Sequence, residues 1–287
     1  MRFLLFWPVF ALMLVSGCDS AAVTGGLEVL RIEHQGATRT AHLFIPSSVT
    51  DGVNVPVVVA FHGAGGSGPL FREQTSLDQQ ALDDGFVVVY PTATGQNWAE
   101  GCDCVRPDLD GVDDVGFADA VIEAVADKVE IDRRRIFALG YSQGAVFLHH
   151  LACQRQDTYA GFASVAGMMS APVAAECPVE APVRMFMANG SADTVLPFAG
   201  QDAGSQSLLS VLETTERWRV HNGCGFAADR TSERHGDVRM DVRRYTACPD
   251  GSGVALFEML DTGHEWPAES VGLEALISDF FGLLAVE

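Results

Sequence analysis

The stretch Arg135-Ile136-Phe137-Ala138-Leu139-Gly140-Tyr141-Ser142-Gln143-Gly144-Ala145-Val146-Phe147-Leu148 changes its periodicity part-way through. Arg135 to Leu139 ends in a short apolar run of strand character. From Gln143 to Cys153 the apolar Val146, Phe147, Leu148 and Leu151 recur at helical spacing. Gly140-Tyr141-Ser142-Gln143-Gly144 sits at the join. A GxSxG sequence between a strand and a helix is the setting of a nucleophile elbow, a sharp turn that lifts a serine side chain clear of a sheet edge. The two glycines permit the tight turn and a close approach of neighbouring backbone. The helix that starts at Gln143 turns its positive end towards Ser142, which favours negative charge developing there.

Outward from the elbow, apolar runs alternate with helical patterns. Val55–Phe61 (VPVVVAF), Phe86–Tyr90 (FVVVY), Val183–Ala188 and Val254–Leu260 read as strands. Helices are expected over Gln74–Asp83, Phe117–Val129, Gln143–Cys153 and Leu273–Leu284. Leu27–Glu33 and Ala41–Ile45 read as an opening antiparallel pair. Continuous apolar strands separated by helices imply an α/β fold with a mostly parallel central sheet and helices on both faces. Reactive groups in such sheets collect at the carboxyl ends of the strands.

A serine hydroxyl is a poor nucleophile until a base takes its proton, so a histidine and a carboxylate are sought downstream in the order serine, acid, histidine. His264, in Asp261-Thr262-Gly263-His264-Glu265-Trp266-Pro267, follows the strand VALFEML and is the candidate base. His34, His42, His221 and His235 have no matching context. His149 and His150 lie two turns into the helix after Ser142 and read as packing or surface residues. Asp193, in the loop after VRMFMA, is the candidate acid, and would orient the imidazole and stabilise its charged form. Asp261 competes, but it stands three residues from His264 on the same loop, where a turn residue is expected.

An attacked carbonyl also needs donors for its oxygen. The Gln143 amide, after the nucleophile, is one candidate. The Ala64 amide in His62-Gly63-Ala64-Gly65-Gly66 is the other, since that turn ends an early strand. A phosphate-binding loop is the rival reading of these glycines. It fails because no Lys-Ser/Thr follows. The chemistry requires no metal or cofactor, and no Cys/His cluster has zinc-finger spacing.

Met1 and Arg2 are followed by an apolar run from Phe3 to Val15 and then Ser16-Gly17-Cys18, the pattern of an export signal. Val15-Ser16-Gly17-Cys18 also resembles the lipobox of bacterial lipoproteins. That implies a signal peptide over residues 1–17, a lipid-modified Cys18, and a short tether over 18–26 leading to a catalytic domain over 27–287. The protein would then be exported and held on a membrane facing the periplasm or the extracellular space. Six further cysteines, Cys102, Cys104, Cys153, Cys177, Cys224 and Cys248, favour disulfides in an exported chain. Fifteen pairings are open; order along the chain suggests Cys102–Cys104, Cys153–Cys177 and Cys224–Cys248. A formal charge of -20 argues against a nucleic-acid partner, because phosphate recognition needs a positive surface.

Several separate pieces carry a wider resemblance: VPVVVAFHGAGGSG (55–68), YPTATGQNWAEGCDC (90–104), VDDVGF (112–117), ALGYSQGA (138–145), SVAG (164–167), NGSADTVLPFAG (189–200) and DTGHEWP (261–267). Together they resemble the polyhydroxybutyrate-depolymerase-like and feruloyl-esterase-like carbohydrate esterases of the α/β-hydrolase superfamily. The resemblance implies an α/β-hydrolase fold and a serine carboxylic-ester hydrolase. Ser142 would be its nucleophile, Asp193 its acid, His264 its base, and the Ala64 and Gln143 amides its oxyanion donors. It also supports the pairs Cys153–Cys177 and Cys224–Cys248. Two departures stand out: Ala145 where a second glycine is common, and Cys102-Asp103-Cys104 where adjacent cysteines are common. Trp266 is expected to line the acyl pocket, while Asp113 and Asp114 are expected to cap the following helix. No linker or polymer-binding module follows, which favours small or oligomeric esters, namely feruloyl or acetyl sugar esters or hydroxyalkanoate oligomers. Two other readings remain. A peptidase of the prolyl-oligopeptidase type would share the order of the three residues. A ligand-binding lipoprotein on a decayed scaffold would have lost one of them.

Overall fold

A computed structural model of the chain describes residues 24–50 and 52–283. Cys18 and the signal segment lie outside the described residues. The strands are β1 (Gly25–His34), β2 (Ala37–Pro46), β3 (Val55–Phe61), β4 (Val87–Pro91), β5 (Ile131–Tyr141), β6 (Gly161–Val165), β7 (Arg184–Gly190), β8 (Asp229–His235), β9 (Val238–Tyr245) and β10 (Gly253–Met259). They form one sheet in the order β1-β2-β4-β3-β5-β6-β7-β10-β9-β8. The run from β4 to β10 is parallel throughout. Antiparallel hairpins close both edges.

The helices are α1 (Gly68–Gln74), α2 (Leu77–Asp84), α3 (Arg106–Leu109), α4 (Asp114–Ala126), α5 (Gln143–Gln154), α6 (Ala171–Glu176), α7 (Val211–His221) and α8 (Leu273–Phe281). The strand period of two sorts β3 between two cores. Val57, Val59 and Phe61 face one layer with Phe117 and Val121 of α4, Phe147 and Leu151 of α5, and Trp218 of α7. Val58 and Ala60 face the other with Leu77 and Ala81 of α2 and Ile277 and Phe281 of α8. Every residue of β3 is buried, as a strand covered on both faces requires. Each large side chain so withdrawn from water contributes about 1.5–3 kcal/mol. The mostly parallel sheet with helices on both faces is therefore present.

Some elements differ from the sequence reading. The helix expected over 74–83 starts only at Leu77, as α2; Gln74 ends the separate helix α1, because Thr75 is extended and the Ser76 amide donates to Glu274 Oε1 at 3.0 Å. Gly85, left-handed at φ 72°, then ends α2. The hairpin β8–β9 has no strand signature in the sequence, since DRTSERH shows no apolar alternation and lies mostly exposed at the sheet edge. Among the described residues no helix is long and apolar enough to cross a membrane. β3 lies between β4 and β5, so the chain reverses its direction of travel across the sheet there. The carboxyl ends of β3 and β5 consequently open onto a common crevice.

Candidate active site

β5 runs into α5 through a backbone turn that only a stiff surround can maintain. Ser142 adopts φ 54° and ψ -122°, a region that non-glycine residues rarely occupy and that is typical of functional turns. Its amide donates to Val165 O at 2.9 Å, and its carbonyl accepts from Ala145 and Val146 at 2.9 and 3.0 Å. A Cβ on Gly140 would overlap the Gly144 carbonyl, and one on Gly144 would overlap the carbonyls of Phe61 and His62. Both glycines of GxSxG are thus sterically required, one by the turn itself and the other by β3 packed against α5.

The loops after β7 and β10 meet over this elbow. The strands are parallel neighbours, with Gly190 opposite Met259, so their chains leave the sheet side by side. They are then stitched together: Ser191 N donates to Met259 O at 2.9 Å, Ala192 N to Thr262 O at 3.0 Å, and Asp261 N to Ser191 Oγ at 3.0 Å. This brings Asp193 Oδ2 to 2.7 Å from His264 Nδ1, and His264 Nε2 to 2.8 Å from Ser142 Oγ. The other oxygen, Asp193 Oδ1, accepts from the amides of Val195 and Leu196 at 2.8 and 2.9 Å. Asp193 is buried, and these three contacts fix its carboxylate against His264. Its partner at Nδ1 implies that this nitrogen carries the imidazole proton, which leaves Nε2 to accept from the serine hydroxyl. The Tyr141 ring stacks on the imidazole, with centroids 5.7 Å apart, and fixes its plane.

The glycine-rich turn after β3 is organised by His62. Its Nδ1 pairs with Gly63 O at 2.7 Å, and its Nε2 accepts from Ala93 N at 3.1 Å. Burial pushes the His62 pKa down, in keeping with a neutral ring in these roles. Trp98 Nε1 donates to the His62 carbonyl at 2.8 Å. Among the described residues neither the Ala64 nor the Gln143 amide donates to a backbone or side-chain acceptor. Both residues, with Ser142, line a cleft of about 280 Å³. Its apolar wall is Val105, Val146, Val195, Leu196 and Leu208; its polar wall is Glu100, Ser170, Gln201 and Gln206.

The structure thus brings together Ser142, Asp193, His264, Ala64 and Gln143. It does not bring in Trp266. That indole, expected on the acyl pocket, is 9% exposed and packs edge-on to Phe71 and Tyr141, at centroid distances of 5.4 and 6.0 Å. Its N–H donates to Glu274 Oε1 at 2.9 Å, which tethers it to α8 beneath the site. Asp261 is exposed, at φ 57°, and acts as a turn residue. Asp113 caps α4 by accepting from Gly116 N at 2.7 Å. Asp114 instead makes a buried ion pair with Arg39 at 2.6 Å and holds the Ala99 amide at 2.7 Å. The bonded cysteines are Cys102–Cys104, Cys153–Cys177 and Cys224–Cys248. Sequence reasoning missed Glu100. It lies in the distinctive segment 90–104, but nothing in local pattern tells which side chain of a loop faces a cleft.

The sequence profile of the alpha/beta hydrolase family matches residues 57–278, and the chain belongs to that family. NocK of Nocardia uniformis subsp. tsuyamanensis is 28% identical over 229 residues, which cover 74% of this chain and 65% of that protein. Feruloyl esterase B of Piromyces equi is 24% identical over 230 residues, or 76% of this chain and 41% of that one. The chain therefore spans less than two thirds of the length of these curated relatives. Among solved structures, acetyl xylan esterase from Aspergillus awamori superposes with a TM-score of 0.63 at 16% identity, over 90% of this chain and 100% of that one. That is a similarity of fold.

Proposed function

We propose that this member of the alpha/beta hydrolase family is a serine carboxylic-ester hydrolase working through an acyl-enzyme. One observation carries the reading: a continuous relay from Asp193 through His264 to Ser142, with hydrogen bonds of 2.7 and 2.8 Å, facing a cleft beside two unengaged amides. His264 Nε2 takes the Ser142 proton as Oγ attacks the ester carbonyl. The Ala64 and Gln143 amides hold the resulting oxyanion, each worth about 3 kcal/mol of barrier. The intermediate collapses, the C–O bond to the alcohol breaks, and His264 returns its proton to the leaving oxygen. Water then repeats the sequence on the acyl-enzyme and releases the acid, with Asp193 stabilising the imidazolium in each half. The substrates proposed are small or oligomeric esters, either feruloyl or acetyl groups on sugars or hydroxyalkanoate oligomers. A relative named feruloyl esterase B supports this class.

Export and attachment to a bacterial membrane through Cys18 belong to the same reading, with residues 27–287 as the catalytic domain. Three disulfides support an oxidising compartment. Labelling of wild type but not Ser142→Ala by a fluorophosphonate is expected, with turnover of at least one ester among methyl ferulate, acetylated xylan and hydroxybutyrate oligomers. A chain that neither labels nor turns over any ester is not an ester hydrolase. For the anchor, Cys18→Ser is expected to release the protein from membranes; unchanged association excludes lipidation at that residue.

A further inference from the structure

The cleft at Ser142 carries an acidic side chain that the ester chemistry does not use. Glu100 lines it together with Ala64, Ser142 and Gln143. The segment bearing Glu100 is fixed on both flanks. On one side the Trp98 indole donates to the His62 carbonyl, the Trp98 amide to Gln143 Oε1 at 3.3 Å, and the Ala99 amide to Asp114 Oδ2. On the other, the amides of Gly101 and Cys102 donate to the Asp108 carboxylate at 3.0 and 3.1 Å, and the Cys102–Cys104 bond closes the turn. A carboxyl on backbone so tied is already in place when a ligand arrives, so little further ordering opposes binding.

Among the described residues no arginine, lysine or histidine forms an ion pair with Glu100. Burial pushes its pKa up to about 7; the Gln143 side chain opposes that shift and Asp108 adds to it. A half-buried carboxyl without a cation is best satisfied by a hydroxyl. Charged, it accepts from the O–H; protonated, it donates to the oxygen. An anionic group at the same place would face the Glu100 carboxyl, with the charge of Asp108 adding to the repulsion.

We propose that Glu100 is a specificity-determining residue of this cleft, recognising a free hydroxyl near the scissile ester and rejecting an anionic group there. The hydroxyl belongs to an acylated sugar or to a hydroxyacid oligomer, which offer the same chemistry. The inference rests on the ester-hydrolase reading above.

The test compares wild type, Glu100→Gln and Glu100→Leu on three neutral esters: p-nitrophenyl acetate, an acetylated xylooligosaccharide and the methyl ester of a hydroxybutyrate trimer. The readout is the ratio of kcat/KM for each hydroxylated ester to that for p-nitrophenyl acetate. Glu100→Leu is expected to lower the ratio about tenfold or more, through KM, for at least one hydroxylated ester. Glu100→Gln, which still donates and accepts, is expected to keep most of it. A fall confined to the sugar ester identifies a sugar hydroxyl, and a fall confined to the trimer a hydroxyacid. Ratios unchanged in Glu100→Leu, or lowered equally in Glu100→Gln, overturn the assignment of Glu100 while leaving ester hydrolysis intact. Failure of wild type on every ester, with no fluorophosphonate label, overturns the parent reading and this one with it.

Discussion

Asp193 and His264, seventy-one positions apart in the chain, share a 2.7 Å hydrogen bond, while the second Asp193 oxygen is held by two amides of its own loop. The carboxylate is therefore aimed before the histidine reaches it. Asp193→Asn is expected to keep the loop, since the side-chain carbonyl can still accept those amides. Its NH₂ would then face Nδ1 and favour the wrong imidazole tautomer. Ester turnover should drop on the order of 10⁴-fold with little change in stability. A drop of less than tenfold would mean that Asp193 does not orient the base.

Gly144 lies against the carbonyls of Phe61 and His62, with no room for a Cβ. Gly144→Ala must push α5 away from the end of β3, which carries the Ala64 turn. Overpacking of this kind costs about 1–3 kcal/mol. Denaturant unfolding should register that loss, and turnover should fall further than stability alone explains. Wild-type values for both would show that the contact is loose.

His149 is fully buried and accepts from Trp218 Nε1 at 3.0 Å, and burial pushes its pKa down to about 3. An unfolded histidine titrates near 6.5, so on acidification the unfolded chain takes up the proton first. The stability associated with neutral His149 is present above about pH 6.5 and is lost progressively as pH falls towards 3, by about 2 kcal/mol at pH 5. His149→Gln keeps an acceptor for Trp218 but does not titrate. Its unfolding free energy should fall less than that of wild type between pH 7 and pH 5. Parallel pH profiles would rule this out.

The Cys153–Cys177 bond ties the end of α5 to the end of α6, across a sequence separation of 24. Replacing both cysteines by alanine is expected to cost about 3 kcal/mol, mainly by releasing the unfolded chain. Guanidinium midpoints measured with and without reductant test this. Wild type should move towards the double variant under reduction. A variant that responds as strongly as wild type would place the redox sensitivity in another bond.

How far the sequence could be read followed from how local each feature is. Val55–Phe61 and Arg135–Leu139 are apolar runs bounded by turn residues, so strand character was visible in a few residues. β8 was not visible, because an edge strand exposed to water has no need of an apolar face. Ser142 was legible because an elbow needs both glycines next to it. Asp193 and His264 were legible because each follows a strand and the order of the three is constrained. Glu100 and Trp266 were not, since both stand in loops where side-chain direction has no period.

The order of residues alone sets the alternation of strands and helices, the position of the elbow, and which residues stand at the carboxyl ends of which strands. These depend on spacing along the chain. Long-range packing settled that Trp266 packs edge-on to Tyr141 and bonds to Glu274, that Glu100 faces the cleft, and that Asp114 pairs with Arg39. Those outcomes are set by which distant partners arrive to satisfy a polar atom or fill a space. No local pattern carries that information.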